Sequence, residues 1–508
     1  MKKQSVAQGT LILVVAGLIT KILGMINRII VTRLLGEDGI GIYMLISPTL
    51  MLLTTFASIG LPVAIPTLIS RANKRQKKIL SVSLIIAMAS SLLISIILFF
   101  TAKPLAVYLL KDARTYLPLI SIGPLLFCVS LSSILKAYFQ GEQNMYPSAI
   151  STLVEQIVRI IICIFFINWL LPYGVIYGVV GTIWASIAGE LASIFILIVM
   201  FLNNMRINHR GANLLPTRLT SQNFKDVIAI SLPATGSRLI GSFSHFLEPI
   251  IIVQCLYQIG YTSESSAKLY GAVSGFALPM LLMPSFITMA VTQSIVPPIS
   301  QAFASKNFER IHSHLNAAFQ LSFLPSGLYT VLLMIFPFEL MKLLYGTSTG
   351  SDYLLIMAPF FLLYYFQGPM TASLQAIDEA SRAMTTTLIS SIIKIIMMVV
   401  LLLIPSLNIY GLIISVLFNI VFITGWHYII IHKKIGYSMD LRAVINGTLI
   451  IGITFLLGRY LSATMSFFTN PFLNMIFIMM IVSIAYLFLI VICGLFPTQK
   501  MTTSIKTK

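Results

Sequence analysis

A chain of 508 residues that is 57% hydrophobic and only 9% charged excludes a soluble fold, whose surface needs far more charge. Its apolar runs recur at about the length of one bilayer crossing and are continuous, not alternating, which excludes a membrane β-barrel. The net charge of +18 would suit nucleic acid, but its distribution follows the positive-inside rule instead, and no nucleic-acid partner is expected.

The opening Met1-Lys2-Lys3 resembles the basic start of a signal peptide. No small-residue cleavage site follows, and the apolar stretch runs on past Lys21, so it reads as an uncleaved first helix. The sequence predicts an all-α polytopic membrane protein of about 14 helices, near 6–34, 39–70, 79–102, 115–139, 149–170, 175–203, 225–257, 268–300, 315–338, 353–376, 386–404, 410–431, 443–461 and 473–495. Pro62 and Pro66 should bend helix 2, and Pro279, Pro284, Pro297 and Pro298 helix 8. Carbonyls freed at such bends need water or a neighbouring helix.

Taken in chain order, charges interrupt these spans. Helix 1 carries Lys21 and Arg28, seven apart and so on one face. Arg28 lies nearer the outer end, where outward snorkelling competes with facing inward. Lys136, at the inner end of helix 4, reads as a snorkelling lysine. Helix 5 carries Glu155 and Arg159 at i and i+4, acid first, the favourable order for an intrahelical pair. Glu190 stands alone on helix 6 and would pack against a cation of another helix. Helix 7 carries Arg238 and His245 seven apart, with Glu248 one turn further, as a cavity-lining stripe or a buried network. Helix 11 carries Lys394, with Glu248 as a possible partner. Each intramembrane cation costs about 2.5–3.5 kcal/mol on insertion scales, so such residues face a bundle interior or a wet cavity. Five deep cations (Lys21, Arg28, Arg159, Arg238 and Lys394) against three acids leave the interior net positive, which suits an anionic cargo. Glu155, Glu190, His245 and Glu248 are the candidates for coupling or charge balance.

The four cysteines, Cys128, Cys163, Cys255 and Cys493, lie in apolar segments without CxxC spacing and read as small buried hydrophobes. No Walker loop, HExxH or loop-borne acidic pair is present. No enzymatic activity, cofactor or metal is expected.

The loops set the orientation. Basic residues cluster at the N-terminus, over 71–78, at Arg206, Arg210 and Arg218, at Lys306 and Arg310, at Lys433 and Lys434, and at Lys500, Lys506 and Lys508. That side holds 20 of the 33 Lys and Arg, against 7 on the other. Both termini are therefore expected in the cytoplasm of a multi-pass cell-membrane protein.

Two blocks of six helices repeat. Residues 152–161 (Thr-Leu-Val-Glu-Gln-Ile-Val-Arg-Ile-Ile) align with 387–396 (Thr-Leu-Ile-Ser-Ser-Ile-Ile-Lys-Ile-Ile), pairing Arg159 with Lys394 and Glu155 with Ser390. Ile176-Tyr177-Gly178 recurs as Ile409-Tyr410-Gly411. Ile65, Ile69 and Ser70 recur as Ile295, Ile299 and Ser300. An even number of helices per block gives both repeats one orientation. The expected plan is an N-lobe over 1–209, a linker over 210–224, and a C-lobe over 225–434. A final part, 435–508, holds helices 13 and 14 and a basic tail. The two pseudo-symmetric lobes would flank a central cavity.

Several stretches carry a family resemblance. They are Gln8-Gly9-Thr10, Lys21-Ile22-Leu23-Gly24, Arg33-Leu34-Leu35-Gly36, Tyr138-Phe139-Gln140-Gly141 and Tyr177-Gly178-Val179-Val180-Gly181-Thr182. With the 6+6+2 plan, the chain resembles the polysaccharide-biosynthesis branch of the multidrug/oligosaccharidyl-lipid/polysaccharide exporter superfamily. Within it, the resemblance is to members assigned to spore cortex peptidoglycan synthesis and to lipid II flippases. It implies export of an undecaprenyl-pyrophosphate-linked precursor by alternating access. The partners would be that lipid-linked precursor, membrane lipids and cell-wall synthases. Lys21 matches a helix 1 cation of those flippases. At the next such position this chain has Asn27, with Arg28 beside it. Sodium-coupled relatives use carboxylates on helices 7 and 11, whereas helix 11 here has Lys394 in place of an acid. The rival readings are a multidrug/cation antiporter on the same scaffold, a non-transporting scaffold for wall synthesis, and a membrane-embedded enzyme.

Overall fold

The computed structural model describes residues 6–71, 76–207 and 221–495. Met1-Lys2-Lys3, 72–75 of the basic run, most of the expected linker with Arg210 and Arg218, and Lys500, Lys506 and Lys508 lie outside them. The described residues form seventeen α-helices and no strand. Among the described residues, eleven candidate spans are long and apolar enough to cross a membrane, twelve if one bent pair is a single span. The first of them runs Ile12–Ser70, about twice the length of one crossing. The polar-rich α7 is absent from that set. These two facts account for most of the distance from the fourteen expected. All four cysteines are free.

The chain divides into two compact units, Met1–Gly275 with Met398–Ile409, and Phe276–Met397 with Tyr410–Lys508. The first holds α1 (Val6–Ser58), α2 (Leu61–Arg71), α3 (Gln76–Pro104), α4 (Tyr116–Gly141), α5 (Tyr146–Leu170), α6 (Val175–Ile207), α7 (Ser221–Gln258) and α8 (Ser263–Gly271). The helix α1 is interrupted at Gly36, whose φ of 65° and ψ of −169° are not helical. A second break, at Ile59 and Gly60 (φ 38° and 58°), separates α1 from α2 just before Pro62. Gly60 is required there twice over. Its φ is left-handed, and a Cβ would press into the Ser231 carbonyl of α7. Hydrocarbon drives no helix association, so close packing of small residues has to. The crossing of α1 and α8 shows it: a Cβ on Gly41 would sit 2.7 Å from the Ala267 carbonyl oxygen, and one on Gly271 2.9 Å from Gly41 Cα.

The second unit holds α9 (Leu278–Leu281), α10 (Ser285–Ala304), α11 (Phe308–Ile335), α12 (Pro337–Tyr345), α13 (Ser351–Ala376), most of α14 (Ala380–Leu402), α15 (Tyr410–Ile435), α16 (Leu441–Thr464) and α17 (Pro471–Ile492). The expected bend of helix 8 falls between α9 and α10 and measures 55°. Its cause is Pro284, which has no N–H for the Met280 carbonyl, while Ser285 N–H turns to Leu282 O. Two tyrosines add hydroxyl donors to carbonyls at the bend, of which Met280 O also accepts the Met283 N–H. Tyr329 on α11 donates to Met280 O at 2.9 Å, and Tyr365 on α13 donates to Leu281 O at 2.5 Å.

The internal repeat is visible in local conformation at an offset of 235. Gln143 and Asp378 both have positive φ, 58° and 62°. Asn144 N–H bonds Phe139 O, and Glu379 N–H bonds Leu374 O. Further along, Asp112 caps the Arg114 N–H, and Thr347 Oγ1 caps the Thr349 N–H. Different side chains perform one task in both copies.

Candidate functional site

Three groups of charged residues stand out. The first lies along α1, α7 and α8. Arg28 reaches from the first half of α1 to Met44 Sδ at 2.8 Å in its second half, and to Ser274 O at 3.1 Å. Its guanidinium sits 5.8 Å from the centroid of the Tyr43 ring. It is thus turned into the protein and not snorkelled. On α7, His245 Nδ1 lies 3.2 Å from Glu248 Oε1. Both Arg28 and Glu248 act on the Tyr270 hydroxyl of α8, so the three helices bring acid, guanidinium and phenol together. Lys21 and Arg238 are exposed on α1 and α7 and form no ion pair among the described residues.

The second group is a four-member network between α4, α5 and α6. Arg159 Nη2 donates to Glu155 Oε1 at 2.5 Å, the expected i,i+4 pair. Lys136 Nζ meets the other oxygen, Glu155 Oε2, at 2.7 Å. Glu190, the isolated acid of helix 6, does pack against a cation of another helix, with Oε1 3.9 Å from Arg159. The sequence reading of Lys136 as a snorkelling lysine is corrected here. Its backbone carbonyl lies opposite Ser148, whose hydroxyl it accepts. From there its side chain runs two helical turns along α5, away from the helix end, to Glu155. A pattern confined to one helix cannot show such a pair. The available signal is the α4–α5 hairpin, which folds back at residues 142–145 and sets the two helices antiparallel.

Lys394 on α14, in the second unit, forms the third group. It is 7% exposed. Where the first repeat has Glu155, the second has Ser390, whose hydroxyl bonds Asn419 Oδ1 of α15. Nearby, Gln367 on α13 donates to Thr424 Oγ1 at 3.1 Å. The second copy thus joins the same helices with neutral groups. At the basic end of this unit Glu379, also unremarked in the sequence, takes Lys434 at 2.7 Å and Arg382 at 3.2 Å. Among the described residues no three His, Cys, Asp or Glu side chains are grouped to hold a metal.

Comparison with known proteins adds to this geometry. Residues 6–303 match the family described as "Polysaccharide biosynthesis protein", and residues 245–400 match the family "MatE". Stage V sporulation protein B of Bacillus subtilis (strain 168) is 39% identical over 447 residues, 87% of this chain and 86% of that protein. Among solved structures, "Lipid II flippase MurJ, inward closed conformation" superposes with a TM-score of 0.67 at 17% identity, covering 94% of this chain and 97% of the other. An inward-facing multidrug resistance MATE family transporter of the MOP superfamily superposes with a TM-score of 0.64 at 16% identity, covering 83% and 96%. These structural likenesses show the fold.

Proposed function

Because the chain belongs to the polysaccharide biosynthesis protein family, and so to a superfamily of flippases and transporters, we propose that it flips an undecaprenyl-pyrophosphate-linked, lipid II-like peptidoglycan precursor. Movement is from the inner to the outer leaflet by alternating access, in the service of spore cortex synthesis, with both termini in the cytoplasm. The observation that carries this reading is the charge of the membrane-embedded helices. With Lys136 turned inward to Glu155, six cations face three acids at these depths, and two of the cations, Lys21 and Arg238, are exposed without an ion pair among the described residues. A desolvated cation meets a pyrophosphate with charge-assisted hydrogen bonds. Lys21, Arg238 and Arg28 come first at the headgroup. Arg159 and Lys394 add positive potential from within the bundle. The name of the sporulation relative supports a role in sporulation, and the structural likeness to a lipid II flippase supports the cargo class.

The test is translocation in proteoliposomes. Labelled lipid-linked precursor placed in one leaflet should become accessible in the other only when protein is present. Lys21→Gln and Arg238→Gln should each slow the movement about ten- to a hundredfold, the loss of one charged hydrogen bond of about 1.5–3 kcal/mol. A folded protein that moves no precursor under any imposed ion gradient or membrane potential would overturn the proposal in favour of a non-transporting scaffold. Transport of cationic dyes but not precursor would overturn it in favour of an antiporter.

A further inference from the structure

The four-member network of the first unit does not share its cations equally. Glu155 holds both, Lys136 at 2.7 Å and Arg159 at 2.5 Å. Glu190 reaches only the same Nη2 of that guanidinium, from 3.9 Å. Yet Glu190 is only 7% exposed, and its Oε2 is buried with no hydrogen-bond partner. A carboxylate in that position would carry a full charge at the depth of the bilayer with one oxygen buried and given no protein donor. Such a charge costs several kcal/mol, a cost that a proton on the carboxylate would remove.

We propose that Glu190 is a proton-binding site: its carboxylate takes up one proton on Oε2 and releases it, within a fixed frame of Glu155, Arg159 and Lys136. The groups facing it are few. α5 presents Glu155 and Arg159. α4 presents Lys136, the Ser132 hydroxyl and the Cys128 thiol. α1 meets α6 through Leu35 and Gly178, so its Arg33, Glu37 and Asp38 lie near a position twelve residues before Glu190 on α6. With Glu190 ionised the four charges sum to zero, and with Glu190 protonated they sum to +1.

Two observations favour a functional proton over a structural pair. The first is the repeat. The same helices of the second copy are held by Ser390 with Asn419 and by Gln367 with Thr424, so the scaffold does not need the acids for packing. Ile423 and Thr424 stand on α15 where Glu190 stands on α6. The second is the company of the carboxylate. Two cations border the site, and a metal cation would be repelled by both, whereas a proton adds to a carboxylate and removes a charge without needing a coordination shell.

The site stands without any cargo, so its test is separate from that of the flippase reading. Purified full-length protein is titrated in detergent and followed by infrared difference spectroscopy of the protonated carboxyl stretch. One protonated-carboxyl band that titrates apart from those of the exposed acids is expected in the wild type, lost in Glu190→Gln and kept in Glu248→Gln. Lys136→Met should move the titration midpoint up by about one pH unit or more, because one of the two cations opposing the proton is gone. That variant keeps Glu190 and serves if Glu190→Gln does not fold. Absence of such a band, or a band that neither Glu190→Gln nor Lys136→Met alters, would overturn the assignment. So would a band displaced at constant pH by sodium and not by choline, which would make the ligand a metal cation.

Discussion

Replacing Glu155 by Gln removes the acid that two cations share. The residue is 6% exposed, and Lys136 and Arg159 touch separate oxygens of its carboxylate. Deleting one partner of a buried ion pair costs about 3–5 kcal/mol, because the remaining charge is left uncompensated. Here two cations are stranded, which argues for the upper figure. Glu190 argues for the lower: at 3.9 Å from Arg159, it can give up its proton and close on the guanidinium. The expected loss for Glu155→Gln is therefore about 3 kcal/mol. Glu190→Gln alone should cost much less, since its carboxylate meets a cation only at 3.9 Å. The double variant should lose more than the sum of the singles, by about 0.5–3 kcal/mol. Thermal unfolding in detergent micelles, read by size-exclusion or intrinsic fluorescence, measures all three. Strict additivity would show that the two acids do not serve one guanidinium, and the argument would fail.

Other positions make narrower claims. Gly60→Ala forces a Cβ into a left-handed turn and against the Ser231 carbonyl. It should lower the unfolding temperature and weaken the α2–α7 contact, whereas Val63→Ala, on an exposed residue of the same helix, should do neither. Tyr329→Phe and Tyr365→Phe each leave a carbonyl at the helix 8 bend without its hydroxyl donor. Tyr365→Phe should cost about 1–3 kcal/mol, and Tyr329→Phe less because Met280 O keeps the Met283 N–H, seen as faster hydrogen exchange over 278–285 and a lower unfolding temperature. Unchanged exchange there would mean the bend is held by Pro284 alone.

What the sequence made legible follows from the range of its signals. Apolar length places helices, so the spans were readable. Where a break depends on a contact with another element, as at Gly60 against Ser231, Pro62 marked only the neighbourhood. The i,i+4 spacing of Glu155 and Arg159 is a property of one helix and appears in the sequence directly. Lys136 was misread because its partner lies on the next helix, and a lysine stem is long enough to run two turns in either direction. Glu379 was passed over because it sits in a loop. Its burial comes from the positive-φ turn at Asp378 and from Lys434, far away in sequence. The repeat was legible from side chains at helices 5 and 11, but its clearest trace is in the backbone, where Gln143 and Asp378 share a conformation without sharing a side chain.

That repeat also supplies a way to ask what Lys394 does. The first copy has an acid one turn before its cation, and the second has Ser390 there. Ser390→Glu would restore the missing acid in the favourable order, Glu four residues before Lys. Ser390 is fully buried, so the new carboxylate has to pair, and Lys394 is the cation within reach on its own helix face. If the charge of Lys394 serves an anionic headgroup, Ser390→Glu should fold and slow precursor translocation about tenfold or more, by masking a charged contact of about 1.5–3 kcal/mol. Ser390→Gln is the control. It matches the volume and the lost hydroxyl contact with Asn419 but leaves the lysine charge unmasked, so any loss it causes is steric. Equal rates for the two variants would mean that the charge of Lys394 is not used in transport. A slow Ser390→Glu beside a faster Ser390→Gln would separate electrostatics from packing at a site where Lys394→Ala, which removes both at once, cannot.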